Sequence, residues 1–228
     1  MNERFRRFLI TPYMVSLSEL SSKYGLLSVM QGTNAIVFKD IFEHYVKIDD
    51  LVLDCTCGKK RFYDDININK YRIVFSDIRP VGDVVANYFS LPFKSSIFDV
   101  LIFDPPYTQW HLFKFFDVHG GISDVYQKDD YNLQKSKTFK FADMDVLKCE
   151  FARILKNHGL LVFKIQDEKC AFAVPIIVDL CKTDFKFIDL IIYVFNDVPI
   201  WVKIYRKRGR IPRTSYRNHA YFMVFEKR

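Results

Sequence analysis

Four consecutive residues, Asp104-Pro105-Pro106-Tyr107, follow the wholly apolar run 100–103 and carry the strongest chemical signal in the chain. An ionised carboxylate such as that of Asp104 only accepts hydrogen bonds. Pro106 restricts the backbone, so the Pro105 carbonyl can be held as a second acceptor. Two acceptors suit an amine whose lone pair is delocalised into an aromatic ring and is therefore a poor nucleophile. By binding its N–H groups they favour a tetrahedral nitrogen with the lone pair free, which is stabilisation of a transition state by preorganised groups. Tyr107 offers a ring on which a flat heterocycle can stack, an interaction of about 1–3 kcal/mol per base in single-strand binders. The plain alternative is a Pro-rich turn that closes a strand.

A second group of candidates lies upstream. In Leu51-Val52-Leu53-Asp54-Cys55-Thr56-Cys57-Gly58-Lys59 an apolar strand runs into a turn, where Gly58 lets the backbone approach a ligand closely. Asp77 stands 23 residues after Asp54 at the end of the next apolar run. That is near the spacing at which a carboxylate accepts hydrogen bonds from ribose hydroxyls. Gly32-Thr33-Asn34 precede a helical pattern, and Thr33 or Asn34 reads equally well as a helix cap.

The elements that must position these residues alternate in type. Val37, Ile41, Phe42, Tyr45 and Val46 recur at helical spacing between 34 and 47, before the strand 51–53. Strands follow at 72–76, ending at Asp77, and at 99–103, ending at Asp104. A helix carries Met144, Leu147, Phe151, Ile154 and Leu155 on one face and is expected to stop near Asn157-His158-Gly159, with Gly159 ending it. The strand 160–165, a helix with Val174, Ile177, Val178 and Cys181 on one face, and strands 187–195 and 221–225 complete the pattern. With a short strand before Asn87 the count is seven. The expected fold is a single α/β Rossmann-like domain over 1–228, with a mostly parallel seven-stranded sheet, an antiparallel last strand and helices on both faces. Asp54, Asp77 and Asp104 would then meet beyond the carboxyl ends of the strands, where such sheets bind ligands. Residues 1–30 read as an N-terminal extension.

Composition narrows the partners. The net charge of +7 favours a polyanion if it is clustered, and clustering is present. Between 199 and 219 stand Lys203, Arg206, Lys207, Arg208, Arg210, Arg213 and Arg217 without one acidic residue, interleaved with Trp201, Tyr205 and Tyr216. Cations for phosphates and rings for bases describe a nucleic-acid groove, although a solvated loop has the same composition. The stretch 108–141 mixes Trp110, His111, Phe113, Phe115, Tyr126 and Tyr131 with Lys114, Lys128, Lys135 and Lys137. It reads as a loop that closes over a substrate or packs into the core. The five cysteines lack the spacing of a zinc module or a disulfide framework, and His111 and His119 form no ligand pattern, so no metal is expected. No run of eighteen uncharged apolar residues and no cleavable leader is visible, so no membrane association is expected and the location expected is the cytoplasm.

These motifs resemble the amino-group DNA methyltransferases of the class I S-adenosylmethionine-dependent fold, whose motif is Asp-Pro-Pro-Tyr; the resemblance covers roughly 32–227. It implies S-adenosylmethionine as cofactor, with Asp104, Pro105, Pro106 and Tyr107 as catalytic residues. It also implies a cofactor site built from Gly32, Thr33, Asn34, Asp54, Cys55, Thr56, Gly58, Asp77, Ile78, Asn87 and Asp104. Ile78 would cover the adenine ring, and Asn87 stands where relatives often place an acidic contact to the adenine amine. Lys60 departs from the family, which usually has a second glycine there. The Asp form of the motif implies adenine N6 in DNA as the target. Some RNA guanine-N2 methyltransferases carry a similar motif, so RNA is the alternative partner, and a nucleic-acid-binding protein with an inactive fold is a third.

Overall fold

The computed structural model describes residues 26–105, 144–166, 173–182, 184–196, 207, 209 and 219–228. In chain order the elements are β1 (Val29–Gly32), α1 (Asn34–Tyr45), β2 (Leu51–Asp54), β3 (Arg72–Asp77), β4 (Val84–Val85), β5 (Phe98–Phe103), α2 (Met144–Ile154), β6 (Leu155–Ile165), α3 (Ala173–Cys181), β7 (Phe185–Phe195) and β8 (His219–Lys227). Short 3-10 turns lie at Arg61–Tyr63 and Ile68–Lys70.

The strands form one sheet in the order β1-β7-β8-β6-β5-β2-β3-β4. Neighbours run parallel except β8, which is antiparallel to both β6 and β7. The sheet therefore has eight strands rather than seven. The additional one is β1, four residues of mixed polarity with too little periodicity to be read as a strand, which pair with Ile192–Phe195 of β7. The short strand expected before Asn87 is present as β4. Chain order reverses between β2 and β5: β3 and β4 are laid down on one side of β2, then β5 returns to its other side. A crevice at that switch point is where open α/β sheets hold ligands.

Alternation along the strands sorts side chains to two faces. Val52, Val100, Ile102, Val162, Phe222 and Val224 face α1, whose Val37, Phe38, Ile41 and Phe42 they cover. Leu53, Leu101, Phe103, Leu161, Phe163, Met223 and Phe225 face α2 and α3 through Leu147, Phe151, Ile154, Ile176 and Leu180. Strands buried on both faces read as continuous apolar runs, and β5 is buried at five of its six positions. Phe103 lies within 4.9–5.2 Å of the rings of Tyr88, Phe151 and Phe163 in edge-on geometry. Each such pair adds about 0.5–1.5 kcal/mol beyond the area it buries, so the strand end that carries Asp104 is rigid.

The junction of α2 and β6 differs from the sequence expectation. The helix ends at Ile154 and β6 starts at Leu155. The register against β5 slips between Phe98–Leu155 and Val100–Leu160, so residues 156–159 bulge outward. His158, with φ 63°, takes the left-handed conformation expected of Gly159. Gly159 serves a different purpose: a Cβ there would lie 2.9 Å from the Lys156 carbonyl oxygen and 3.1 Å from that of Asp99. Lys156 closes the bulge with its ammonium 2.7 Å from the Asp99 carboxylate.

Candidate active site

Asp54 and Asp104 end adjacent parallel strands on either side of the switch point, and the loops that follow are tied together. The Cys55 amide donates to the Ile102 carbonyl, 3.2 Å, which extends the ladder one step. The Asp104 amide donates to the Thr56 hydroxyl at 2.8 Å. The Thr56 amide donates to Asp54 Oδ1 at 3.0 Å, and the Tyr63 hydroxyl donates to Asp54 Oδ2 at 3.1 Å. One hydroxyl thus fixes the path of the chain at Asp104 to the loop after β2.

A cavity of about 220 Å³ opens here, lined by Asn34, Asp54, Thr56, Cys57, Gly58, Lys59, Arg61, Phe62, Arg79 and Asp104. Five of these, Asn34, Asp54, Thr56, Gly58 and Asp104, are site candidates read in the sequence, and Cys57 and Lys59 lie within the same motif. Gly58 needs its freedom: its φ is +50°, and its amide donates to Asp77 Oδ2 at 3.0 Å. Thr33 is committed to capping α1 by accepting the Ile36 amide at 3.2 Å. Asn34 Oδ1 is buried with no hydrogen-bond partner at the edge of the cavity, a rare condition for a native acceptor and one that a ligand donor would relieve.

Other sequence candidates stand back from the cavity. Gly32 ends β1, and its carbonyl accepts from the Tyr193 hydroxyl at 3.4 Å. Cys55 is buried with its thiol directed to the Ile102 carbonyl. Asp77 is buried behind Arg79, whose backbone amide and Nε both donate to Oδ1 at 2.9 and 3.0 Å while Nη2 reaches Oδ2 at 3.3 Å. Ile78 is half-buried. Asn87 turns its side chain inward to accept the Phe89 amide at 3.2 Å. Pro105 is buried, whereas Pro106, Tyr107 and the stretch 108–141 lie outside the described residues. So do Lys203, Arg206, Arg208, Arg210, Arg213 and Arg217; Lys207 is described and exposed.

Arg61, Phe62 and Arg79 of the lining, and Lys164 beside it, are absent from the sequence reading, and two of them make the site's strongest charge contacts. Arg79 lines the cavity and holds both oxygens of Asp77. Lys164 of β6 is buried with its ammonium 3.2 Å from Asp104 Oδ2. Arg79 follows Asp77 by two residues, so local spacing could have raised it; Lys164 is 60 residues from its partner, and only strand register brings them together.

Burial dominates the electrostatics. It pushes the Asp54 carboxyl up to about 7, with repulsion from Asp104 and Asp77 adding and the bonds from Thr56 and Tyr63 opposing. Asp104 is also raised by burial, with the Lys164 charge and hydrogen bond pulling it back. Burial, then the charge of Asp54, pushes the Cys57 thiol up to about 12, so it stays protonated and is a poor nucleophile or metal ligand. Among the described residues no group of three His, Cys, Asp or Glu could hold a metal. Among them, too, no helix is long and apolar enough to cross a membrane.

Lys60 has the left-handed backbone that favours glycine, at the position where the resemblance implies one. Its φ of 58° and ψ of 24° are left-handed, and its ammonium sits 4.0 Å from the Phe75 ring centroid and 3.8 Å from Asp83. Left-handed backbone costs a non-glycine residue about 1–2 kcal/mol. Lys60→Gly removes that cost along with the side-chain contacts, so its urea unfolding free energy should stay within about 1 kcal/mol of wild type. Lys60→Val, branched at Cβ, should lose about 2 kcal/mol. A Val variant as stable as wild type would refute the strain argument.

No protein-family model and no curated protein matches the sequence. Solved structures do match. The PH0226 protein from Pyrococcus horikoshii OT3 superposes with TM-score 0.51 and 14% identity, covering 100% of each chain. The 1,6-didemethyltoxoflavin-N1-methyltransferase of Burkholderia thailandensis, solved with bound 1,6-didemethyltoxoflavin and S-adenosylhomocysteine, gives TM-score 0.50 and 12% identity over 86% of this chain and 78% of that one. The [4+2]-cyclase SpnF gives 0.51 and 11% over 85% and 80%. The chain has the class I methyltransferase fold. On that fold the cavity beside β2 and β5 lies at the switch point, and the fold by itself does not name the reaction, since one neighbour is a cyclase.

Proposed function

We propose that the protein transfers a methyl group from S-adenosylmethionine to an exocyclic amino nitrogen of a nucleic-acid base, with adenine N6 in DNA as the first choice. The observation that carries this reading is Asp104: it ends β5 at the switch point, lines the cavity with Asp54 and Gly58, and opens the sequence Asp104-Pro105-Pro106-Tyr107. The residues fit the cofactor. Asp54 and the orphaned Asn34 Oδ1 are acceptors at the cavity, and the Gly58 turn gives close backbone approach. Asn34, Asp54, Thr56 and Gly58 would hold it. When bound, it supplies an electrophilic methyl group on a sulfonium.

The chain's own part is to present and orient the amine. Asp104 accepts one N–H of the substrate nitrogen, and the Pro105 carbonyl is the second acceptor the sequence offers. The methylated nitrogen is left with two N–H protons and a positive charge; loss of one of them requires a base nearby, and the Asp104 carboxylate is the group that can take it. In duplex DNA the target base must first leave the stack, at a cost of a few kcal/mol. The seven cations between 199 and 219 are the sequence feature that supports a polynucleotide partner.

The test is transfer of labelled methyl from S-adenosylmethionine to double-stranded DNA, single-stranded DNA and total RNA in parallel, with mass analysis of the nucleosides. N6-methyladenine in DNA is expected. Label in an RNA nucleoside would keep the chemistry and change the polymer. One observation favours a second reading, a nucleic-acid-binding protein with an inactive fold: both oxygens of Asp77, the ribose acceptor implied by the family, are held by Arg79 and Gly58. Absence of S-adenosylmethionine binding in calorimetry would select it.

A further inference from the structure

Lys164 stands in an apolar strand, where a charge is costly unless it is paired. Its side chain keeps 6% of its exposure, against 25% for Asp104, so the lysine is the deeper partner. It cannot be read as a surface residue whose stem lies along the core. The ammonium stays inside, 4.9 Å from the Phe62 ring and 5.9 Å from that of Phe222. The register explains the meeting: Phe103 pairs with Phe163 across β5 and β6, and the next rung brings Asp104 to Lys164 on the α1 face.

Asp104 is therefore held twice, through its amide by the Thr56 hydroxyl and through Oδ2 by Lys164. Among the described residues Oδ1 takes no hydrogen bond, and Asp104 lines the cavity. We propose that Lys164 is a positioning residue that keeps Asp104 a carboxylate turned to offer Oδ1 to the substrate. This rests on the reading of Asp104 as the acceptor of the substrate amine.

The need for such a residue follows from the surroundings. Burial favours the neutral acid, and the charge and hydrogen bond of Lys164 are what oppose it. A protonated Asp104 would aim an O–H donor at an amine that needs an acceptor. Lys59, Arg61 and Arg79 also line the cavity, and Tyr193 of β7 lies near enough to feel the Lys164 charge. Of these only Lys164 is placed within hydrogen-bond reach of the carboxylate.

The experiment is carbon-13 NMR titration of the full chain labelled at aspartate carboxyls, with the Asp104 signal assigned by loss in Asp104→Asn. In Lys164→Met, whose apolar chain suits the Phe62 and Phe222 rings, the Asp104 midpoint should rise by about 1–3 pH units. Lys164→Arg should restore the wild-type midpoint. The acid limb of the methyl-transfer rate should move with the titration in each variant, while S-adenosylmethionine affinity measured above that limb stays the same. If Lys164→Met does not fold, Lys164→Gln, which donates to Oδ2 without a charge, should show the same rise. An unchanged midpoint in a folded Met or Gln variant, or a rise that Arg does not reverse, overturns the proposal. A shifted midpoint in a chain that methylates no polynucleotide upholds the pairing and overturns the function instead.

Discussion

On the proposed function, Asp104→Ala is expected to reduce methyl transfer by at least about 10²–10³-fold, the usual cost of removing one preorganised group from a reacting centre. It should also melt at lower temperature than wild type. The substitution leaves the Lys164 ammonium buried 3.2 Å from where its counter-charge stood. Breaking a buried pair by removing one partner typically costs about 3–5 kcal/mol, and the 25% exposure of Asp104 places this case toward the lower end. Asp104→Asn should lose activity to a similar extent with less loss of stability, because its amide oxygen can still accept from Lys164. Labelled-methyl assays and thermal unfolding of both variants separate the two effects. An Asp104→Ala protein that melts like wild type would mean that the pair contributes nothing to the fold.

The second large effect concerns pH. Asp54 titrates at about 7 in the folded chain against 3.8 for the free group. The native state therefore holds a proton that the unfolded chain releases between those values. Stability contributed at this site falls as pH rises from about 4 to about 7 and is level above that. Asp54→Asn removes the titration and keeps the contacts: its oxygen can still accept the Thr56 amide, and its NH₂ can donate to a Tyr63 hydroxyl turned to accept. At pH 8 the variant should be more stable than wild type by roughly 2–4 kcal/mol, and near pH 4 the two should converge. Thermal melts across pH 4–8 decide the matter; parallel curves for the two proteins would refute it. On the proposed function the same variant should bind S-adenosylmethionine more weakly at pH 8, so the stabilised protein would be the less active one, a usual trade at functional sites.

Much of this arrangement was legible in the sequence because apolar strands buried on both faces announce themselves. β2, β3 and β5 each end in a carboxylate, and the expectation that Asp54 and Asp104 meet at the sheet's carboxyl edge matches the cavity. Asp77 reaches the same edge but lies behind Arg79, a contact made by a flexible side chain that no periodicity encodes. β1 was missed because four residues paired to one neighbour need no pattern of their own. The end of α2 was misplaced because Gly159 looked like a helix stop, while its lack of a side chain is used to let Lys156 and Asp99 approach. Lys164 was illegible for a deeper reason. In a strand of alternating faces a lysine reads as outward-facing, and its partner is found only through the β5–β6 register. Pro106, Tyr107 and most of the basic stretch lie outside the described residues, so the substrate side of the site rests on sequence.

The position of β8 has a consequence for how the chain is made. Among the described residues β7 and β1 join the rest of the sheet only through β8, the last strand in sequence. Chains emerge from the ribosome N-terminal end first. Strands β2 to β6, with the cavity between them, can pair as they appear, whereas β1 must wait for β7, and β7 for β8. Until then β6 presents an open edge, and the aromatic side chains that Phe222 and Phe225 will cover stay exposed to solvent. The nascent protein thus passes through a stage with the half that carries the cavity assembled and its sheet unfinished, the stage at which a holdase would act and at which, on the proposed function, a ligand of the cavity would already protect the chain from aggregation.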